Sequence, residues 1–186
     1  MERFVCLLLS GLLSGCALLH YEQVKTGELG GKLLVQWIEP DKFILAPDKD
    51  KPLTFVRHNK ESITPRRMYT DGGSIPRPLW VFRSYSPWGY APAFIIHDWL
   101  FHMKHCKIPG YEKHDVEDAA WIMSEVMKTM MEEPKKGSVD KLTLYSMFGA
   151  VRSPIAKNLW HAGKCEQPPP GLLQVQPKLE YIIEFP

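Results

Sequence analysis

The chain has 186 residues, of which 45% are hydrophobic and 24% charged, as is typical of a single globular domain rather than a disordered or fibrous protein. Its 23 Lys and Arg against 21 Asp and Glu give a formal net charge of +2, which supplies no basic stripe for a phosphate backbone. We therefore expect no nucleic-acid partner. No run of about 18 apolar residues occurs in the sequence, which excludes a permanent transmembrane helix.

The first sixteen residues have the features of a secretory signal that ends at a cysteine. One Arg precedes an apolar stretch of about ten residues, and small residues then precede Cys16. The sequence LSGC at 13–16 resembles the lipobox of bacterial lipoproteins. This resemblance implies that residues 1–15 are a signal peptide, that Cys16 is the acylated first residue, and that residues 16–31 are a lipidated tether.

The acylated cysteine predicts a protein of the bacterial cell envelope. Removal of residues 1–15 deletes one acidic and one basic residue, so the net charge is unchanged and the lipid rather than charge supplies membrane attachment. Ala17 follows the cysteine in place of the Asp that retains some lipoproteins at the inner membrane. We therefore expect the periplasmic face of the outer membrane rather than the inner membrane.

Two further cysteines lie in the body of the chain. Export would place Cys106 and Cys165 in an oxidising compartment, where a disulfide persists. Such a bridge would tie the carboxy-terminal tail to the middle of the chain. Since sequence does not give the distance between the two sulfur atoms, a bridge and two separate thiols both remain open.

The body of the chain begins with short strand-like runs and continues with helical patterns. Strands are predicted over 33–38, 42–45 and 53–56, a long ordered loop over 57–90, and helices over 92–105, 114–132 and 139–151 with a further turn at 155–161. The Pro-rich tail could add an edge strand or form a loose arm. We therefore predict one globular α+β domain over 32–186, with a small amino-terminal antiparallel sheet packed on a three-helix body.

Two motifs stand out, TDGGSIPR at 70–77 in the loop and HDWLF at 97–101 on the first helix. Together they resemble a phage-associated family of unknown function that has a TDGASIPR loop and an HDWLY helix. The resemblance covers about residues 68–160. This chain departs from that pattern at Gly73, where alanine is usual, and at Phe101, where tyrosine is usual. The resemblance implies a phage or prophage origin but names no reaction.

The order of polar residues around these motifs is similar to that of small bacterial secreted phospholipases A2. In that resemblance Asp71 and Asp98 would be oxygen ligands for Ca²⁺, and carbonyl groups of Gly72 or Gly73 would complete the shell. Phospholipid or another envelope ester would then be the substrate.

The same resemblance assigns a base and its orienting carboxylate. His97 lies among apolar residues, where a neutral imidazole can act as a general base, and it would deprotonate a water molecule. Asp118 would accept a hydrogen bond from the other ring nitrogen. Periodicity places Asp118 away from the apolar face of its helix, so Asp115 remains its rival.

Two other interpretations of these residues remain open. A zinc site built on His97, His102, His105 and Cys106 is disfavoured, since only His102 and His105 share a face of the helix. Alternatively, the residues of the calcium site form a structural polar knot that ties loop to helix. The protein would then be a non-catalytic envelope lipoprotein that excludes superinfecting phage by masking a receptor, or that attaches to an envelope or virion protein.

Overall fold

An antiparallel sheet and a helical body make up the protein, which confirms the predicted α+β class. The computed structural model describes residues 15–39, 42–70, 89–133, 139–168 and 180–185. Within these ranges the strands are β1 (Glu28–Glu39), β2 (Lys42–Leu45), β3 (Thr54–Val56), β4 (Ser62–Ile63), β5 (Met68–Thr70) and β6 (Glu180–Phe185). Their spatial order is β4-β3-β1-β2-β5, and β6 pairs with β1.

The long strand β1 organises the sheet because it pairs with three other strands. Its first residues pair with β3, with Leu29 opposite Phe55, and its later residues pair with β2. Gly31 lies between these two pairings at a φ of 96°, and a Cβ atom there would lie 2.1 Å from the carbonyl oxygen of Pro52. Glycine is therefore required where β1 changes partners. On β1, residues 31–36 also pair with β6, so the end of the tail adds a strand.

The helices of the described ranges are α1 (residues 15–23), α2 (Ala91–Cys106), α3 (Val116–Glu132), α4 (Lys141–Val151) and α5 (Pro154–Ala162), with a 3-10 helix at Tyr111–Lys113. The main predicted helices agree with α2, α3 and α4 to within two residues at each end. The predicted further turn is a separate helix, because the Ser153 side chain caps α5 and Pro154 occupies its first position. Among the described residues, no helix is long and apolar enough to cross a membrane.

The predicted loop over 57–90 differs from the structure in its first half. Ser62 and Ile63 form β4 and pair with β3, and Met68–Thr70 form β5 and pair with β2. Very short strands of this kind carry too little periodicity to be recognised from sequence. Of the rest of the predicted loop, residues 71–88 lie outside the described residues, and residues 89 and 90 form a turn before α2.

The prediction of a tether over 16–31 also differs from the structure. Residues 15–23 form α1, and β1 already begins at Glu28. Tyr21 and Val24 are 5% and 1% exposed and belong to the main core. The Lys128 ammonium group donates hydrogen bonds to the carbonyl groups of both residues, at 2.8 and 3.0 Å. This segment is therefore packed on α3, because burial of its apolar face outweighs the freedom of a linker.

The core lies between the sheet and helices α2 and α3. Its fully buried side chains come from all of these elements and include Leu33, Phe55, Met68, Ile96, Leu100, Ile122, Met123 and Met127. A disulfide joins Cys106 at the end of α2 to Cys165 after α5. This bond fixes the carboxy-terminal helix against the middle of the chain.

Candidate functional site

His97 lies on α2 with an unsatisfied nitrogen. Its side chain is 12% exposed, and its buried Nε2 has no hydrogen-bond partner among the described residues. The other nitrogen, Nδ1, lies 3.9 Å from Oδ1 of Asp98, which is too long for a hydrogen bond. The ring centroid of Phe101 lies 4.8 Å from that of His97. Among the described residues, the imidazole therefore has an aromatic neighbour and no hydrogen-bonded carboxylate.

Asp98 connects α2 to the sheet. Its Oδ2 accepts a 2.6 Å hydrogen bond from the Thr70 hydroxyl group, and Thr70 is the last residue of β5. The strand that leads into the TDGGSIPR motif is thereby fastened to the helix that carries HDWLF. Asp71, Gly72 and Gly73, the other predicted calcium ligands, lie outside the described residues.

Asp118 has partners other than His97. Its Oδ1 accepts a hydrogen bond from Nη1 of Arg57 at 3.2 Å, and its Oδ2 lies 2.5 Å from Nδ1 of His114. Burial raises the pKa of Asp118, but the hydrogen bond from His114 and the charge of Arg57 outweigh it and hold the pKa below its ordinary value. The rival Asp115 caps α3 by accepting a hydrogen bond from the Asp118 amide. Neither acid therefore serves as the predicted partner of His97 in this arrangement.

The partners of Asp118 belong to a larger cluster, which we call the Arg57 network: Arg57, Glu61, His114, Asp118 and Glu125. The Nε and Nη2 atoms of Arg57 donate to both carboxylate oxygens of Glu125 at 2.8 and 2.9 Å, and Nη1 also donates to Glu61 at 2.9 Å. Nε2 of His114 lies 3.4 Å from Oε1 of Glu61. Burial lowers the pKa of Arg57, but the paired carboxylates outweigh it and raise that pKa.

Sequence analysis missed this network, although part of its pattern is visible. Asp118 and Glu125 are seven residues apart on α3 and share one side of the helix, with His114 one turn before them. The missing signal is Arg57, which lies 61 residues from Asp118 in sequence and comes from the turn after β3. With one cation facing three carboxylates, the network holds the β3–β4 hairpin against α3.

The histidines at the end of α2 do not form the disfavoured zinc site. Cys106 is consumed by the disulfide, and Nε2 of His105 lies 3.0 Å from the carbonyl oxygen of Leu159. Burial lowers the pKa of His102, and the nearby His105 lowers it further. In the part of the chain that the structure describes, no group of three or more His, Cys, Asp or Glu could hold a metal ion.

The chain belongs to the family described as protein of unknown function (DUF1353), whose model matches residues 50–147. Membership of a family of unknown function is thereby confirmed, while the phage association remains a prediction. The matched range contains both His97 and the whole Arg57 network. No curated protein and no solved structure matches the chain.

Two of the predicted site carboxylates connect elements of the fold. Within the described ranges, Asp98 fastens a strand to α2, and Asp118 fastens a hairpin to α3. Like Nε2 of His20, Nε2 of His97 is a buried imidazole nitrogen without a hydrogen-bond partner among the described residues. A general base also needs a group that orients its ring, and no hydrogen-bonded orienting carboxylate accompanies His97 among the described residues.

Proposed function

We propose that the protein is a non-catalytic lipoprotein of the bacterial envelope, of phage or prophage type, that acts by masking a receptor or attaching to an envelope or virion protein. The observation that carries the non-catalytic proposal is the engagement of Asp118 by Arg57 and His114. This carboxylate is the one that a phospholipase-like site would need beside His97. A residue order that resembles a phospholipase site is therefore compatible with a structural role for Asp118.

The lipid anchor of this proposal rests on Cys16 and its lipobox. Cys16 is an exposed free thiol in the described part of the chain, so an acyl-transfer enzyme can reach its sulfur. The attached acyl chains would hold the protein on a membrane, because each buried methylene group contributes about 0.8 kcal/mol. We place the protein at the periplasmic face of the outer membrane.

The anchor is tested by expressing the full chain in a Gram-negative host and measuring the mass of the mature protein. We expect cleavage before Cys16 and a mass increase equal to the attached acyl chains, with the protein in the outer-membrane fraction. The matched variant Cys16→Ser should carry no lipid. A mature protein with an unmodified Cys16 would contradict the proposal.

A second candidate function is calcium-dependent hydrolysis of phospholipid or another envelope ester. The observation that favours it is the buried Nε2 of His97, which has no partner among the described residues. His97 is followed by Asp98, which accepts a hydrogen bond from Thr70, the residue before Asp71. In this candidate His97 is the base, and Asp98, Asp71 and the glycine carbonyl groups would bind calcium.

Ester turnover with and without calcium separates the two candidates. The non-catalytic proposal expects no calcium-dependent release of fatty acid from phospholipid vesicles by the purified protein. Turnover that disappears in His97→Ala, and persists in the exposed-histidine control His58→Ala, would contradict the non-catalytic proposal and support the hydrolase. The melting temperature with and without calcium, measured on the same variants, reports binding independently of turnover.

A further inference from the structure

The first turn of α1 presents an apolar outer surface. Cys16 is exposed, and Leu18 and Leu19 are 46% and 65% exposed, whereas Ala17 and His20 on the opposite side are 2% and 6% exposed. Leu19 follows Cys16 by three residues, so both lie on neighbouring parts of one helix surface. Adjacent exposed apolar side chains next to the proposed acylation site indicate a contact surface.

The second turn of α1 is polar on the same side. Glu22 and Gln23 are both exposed, and the Glu22 carboxylate lies 3.7 Å from the Lys141 ammonium group on α4. The apolar surface is therefore confined to the first turn, next to Cys16. A surface of this extent matches the edge of a bilayer contact better than a groove for a protein partner.

α1 is fixed to the body at its middle and at its end. The ring of His20 stacks on Phe148 of α4, with centroids 4.0 Å apart. The Lys128 ammonium group holds two carbonyl groups at the end of α1, and the Tyr21 hydroxyl group donates to Glu132 at 2.8 Å. These contacts leave α1 little freedom to rotate relative to α3 and α4.

We propose that the first turn of α1, formed by Cys16, Leu18 and Leu19, is a membrane-contact surface that seats the domain directly on the bilayer in one orientation. This inference rests on the proposed acylation of Cys16. Since Cys16 is itself part of α1, no linker separates the acyl chains from the rigid body. The acyl chains then hold the two leucines at the lipid surface, and the docked helix fixes which side of the domain faces the periplasm.

The proposal is tested with fluorescent labels on the acylated protein in vesicles. Leu19→Cys places a thiol in the proposed surface. Val139→Cys places a matched thiol away from it, at a residue that is 48% exposed. Val139 lies two positions before Lys141, the α4 residue that contacts Glu22 in the second turn of α1. Since Cys6 leaves with the signal peptide, Cys106 and Cys165 are bonded to each other and Cys16 is acylated, the new thiol is the reactive one. Brominated phosphatidylcholine quenches from the lipid side, and iodide quenches from the water side.

We expect the label at position 19 to be quenched by the brominated lipid and to be at least threefold less accessible to iodide than the label at position 139. Both labels should respond equally to iodide in a non-acylated Cys16→Ser protein that is expressed without residues 1–15. Equal quenching at the two positions in vesicles, by either quencher, overturns the proposal while leaving the anchor intact. An unmodified Cys16 in the mass spectrum refutes the anchor itself, so the two failures are distinguishable.

Discussion

His20 shows how a single residue can make the docking of α1 sensitive to acid. Its ring is enclosed by Phe148, Trp121 and Tyr145, and its Nε2 has no hydrogen-bond partner in the described part of the chain. Burial, and then the charge of Arg152, lower the pKa of His20 from 6.5 to about 4. The folded state is therefore more stable with His20 neutral than with His20 protonated.

The sign of the resulting pH dependence follows from this lowered pKa. Above pH 6.5 His20 is neutral in both states, and its stabilising effect is complete; the effect is lost as the pH falls through about 4. At about 1.4 kcal/mol per pKa unit, the loss approaches about 3 kcal/mol. We expect the free energy of unfolding in urea to fall by this amount between pH 7 and 4. In the variant His20→Phe, the fall over the same pH range should be smaller by the contribution of His20. An identical pH profile for both proteins would contradict the prediction.

Arg57 is the residue on which its network depends. Its guanidinium group, 13% exposed, is the cation that faces Glu61, Asp118 and Glu125. Substitution Arg57→Gln leaves these carboxylates close together without compensation, so we expect a loss of about 2–3 kcal/mol in unfolding free energy. Urea denaturation measures this change in the free energy of unfolding. The exposed Arg66→Gln serves as the matched control and should change stability by less than about 0.5 kcal/mol.

At the scale of elements, α1 is held by a lysine from a distant helix. Lys128 is 9% exposed and donates to the carbonyl groups of Tyr21 and Val24, which α1 leaves unpaired at its end. The Lys128 ammonium group also lies 4.3 Å from the centroid of the Tyr21 ring. Its side chain therefore performs the capping that sequence neighbours perform in most helices.

Substitution Lys128→Met keeps the length of this side chain but removes its donors. We expect the amides of residues 17–24 to exchange hydrogen at least tenfold faster, since α1 loses contacts worth about 2–3 kcal/mol. Hydrogen exchange read by mass spectrometry gives the rates segment by segment. In the control Lys157→Met, at an exposed position on α5, these rates should remain those of the wild type. If exchange in α1 is unchanged in both variants, Lys128 does not hold the helix.

At the scale of the whole molecule, local patterns predicted the elements and missed their long-range partners. The strand at 42–45 and the helix ending at Glu132 follow from alternation, turn residues and periodicity. The burial of Tyr21 depends on Lys128, which is 107 residues away, and the role of Asp118 depends on Arg57. A motif order that resembles an enzyme therefore does not determine which residues meet, because contacts formed in the tertiary structure decide it.

Among the described strands, the first and the last pair with each other, so the tail covers one edge of β1. β6 covers residues 31–36 of β1, on the edge opposite β2. Truncation before residue 180 exposes these backbone donors and acceptors, and an open edge pairs with other chains. We expect the truncated protein to form larger species than the intact chain in light scattering at micromolar concentration, whereas removal of Pro186 alone should leave the scattering unchanged. A truncated chain with the same scattering and stability as the intact chain would show that β6 is dispensable for closing the sheet.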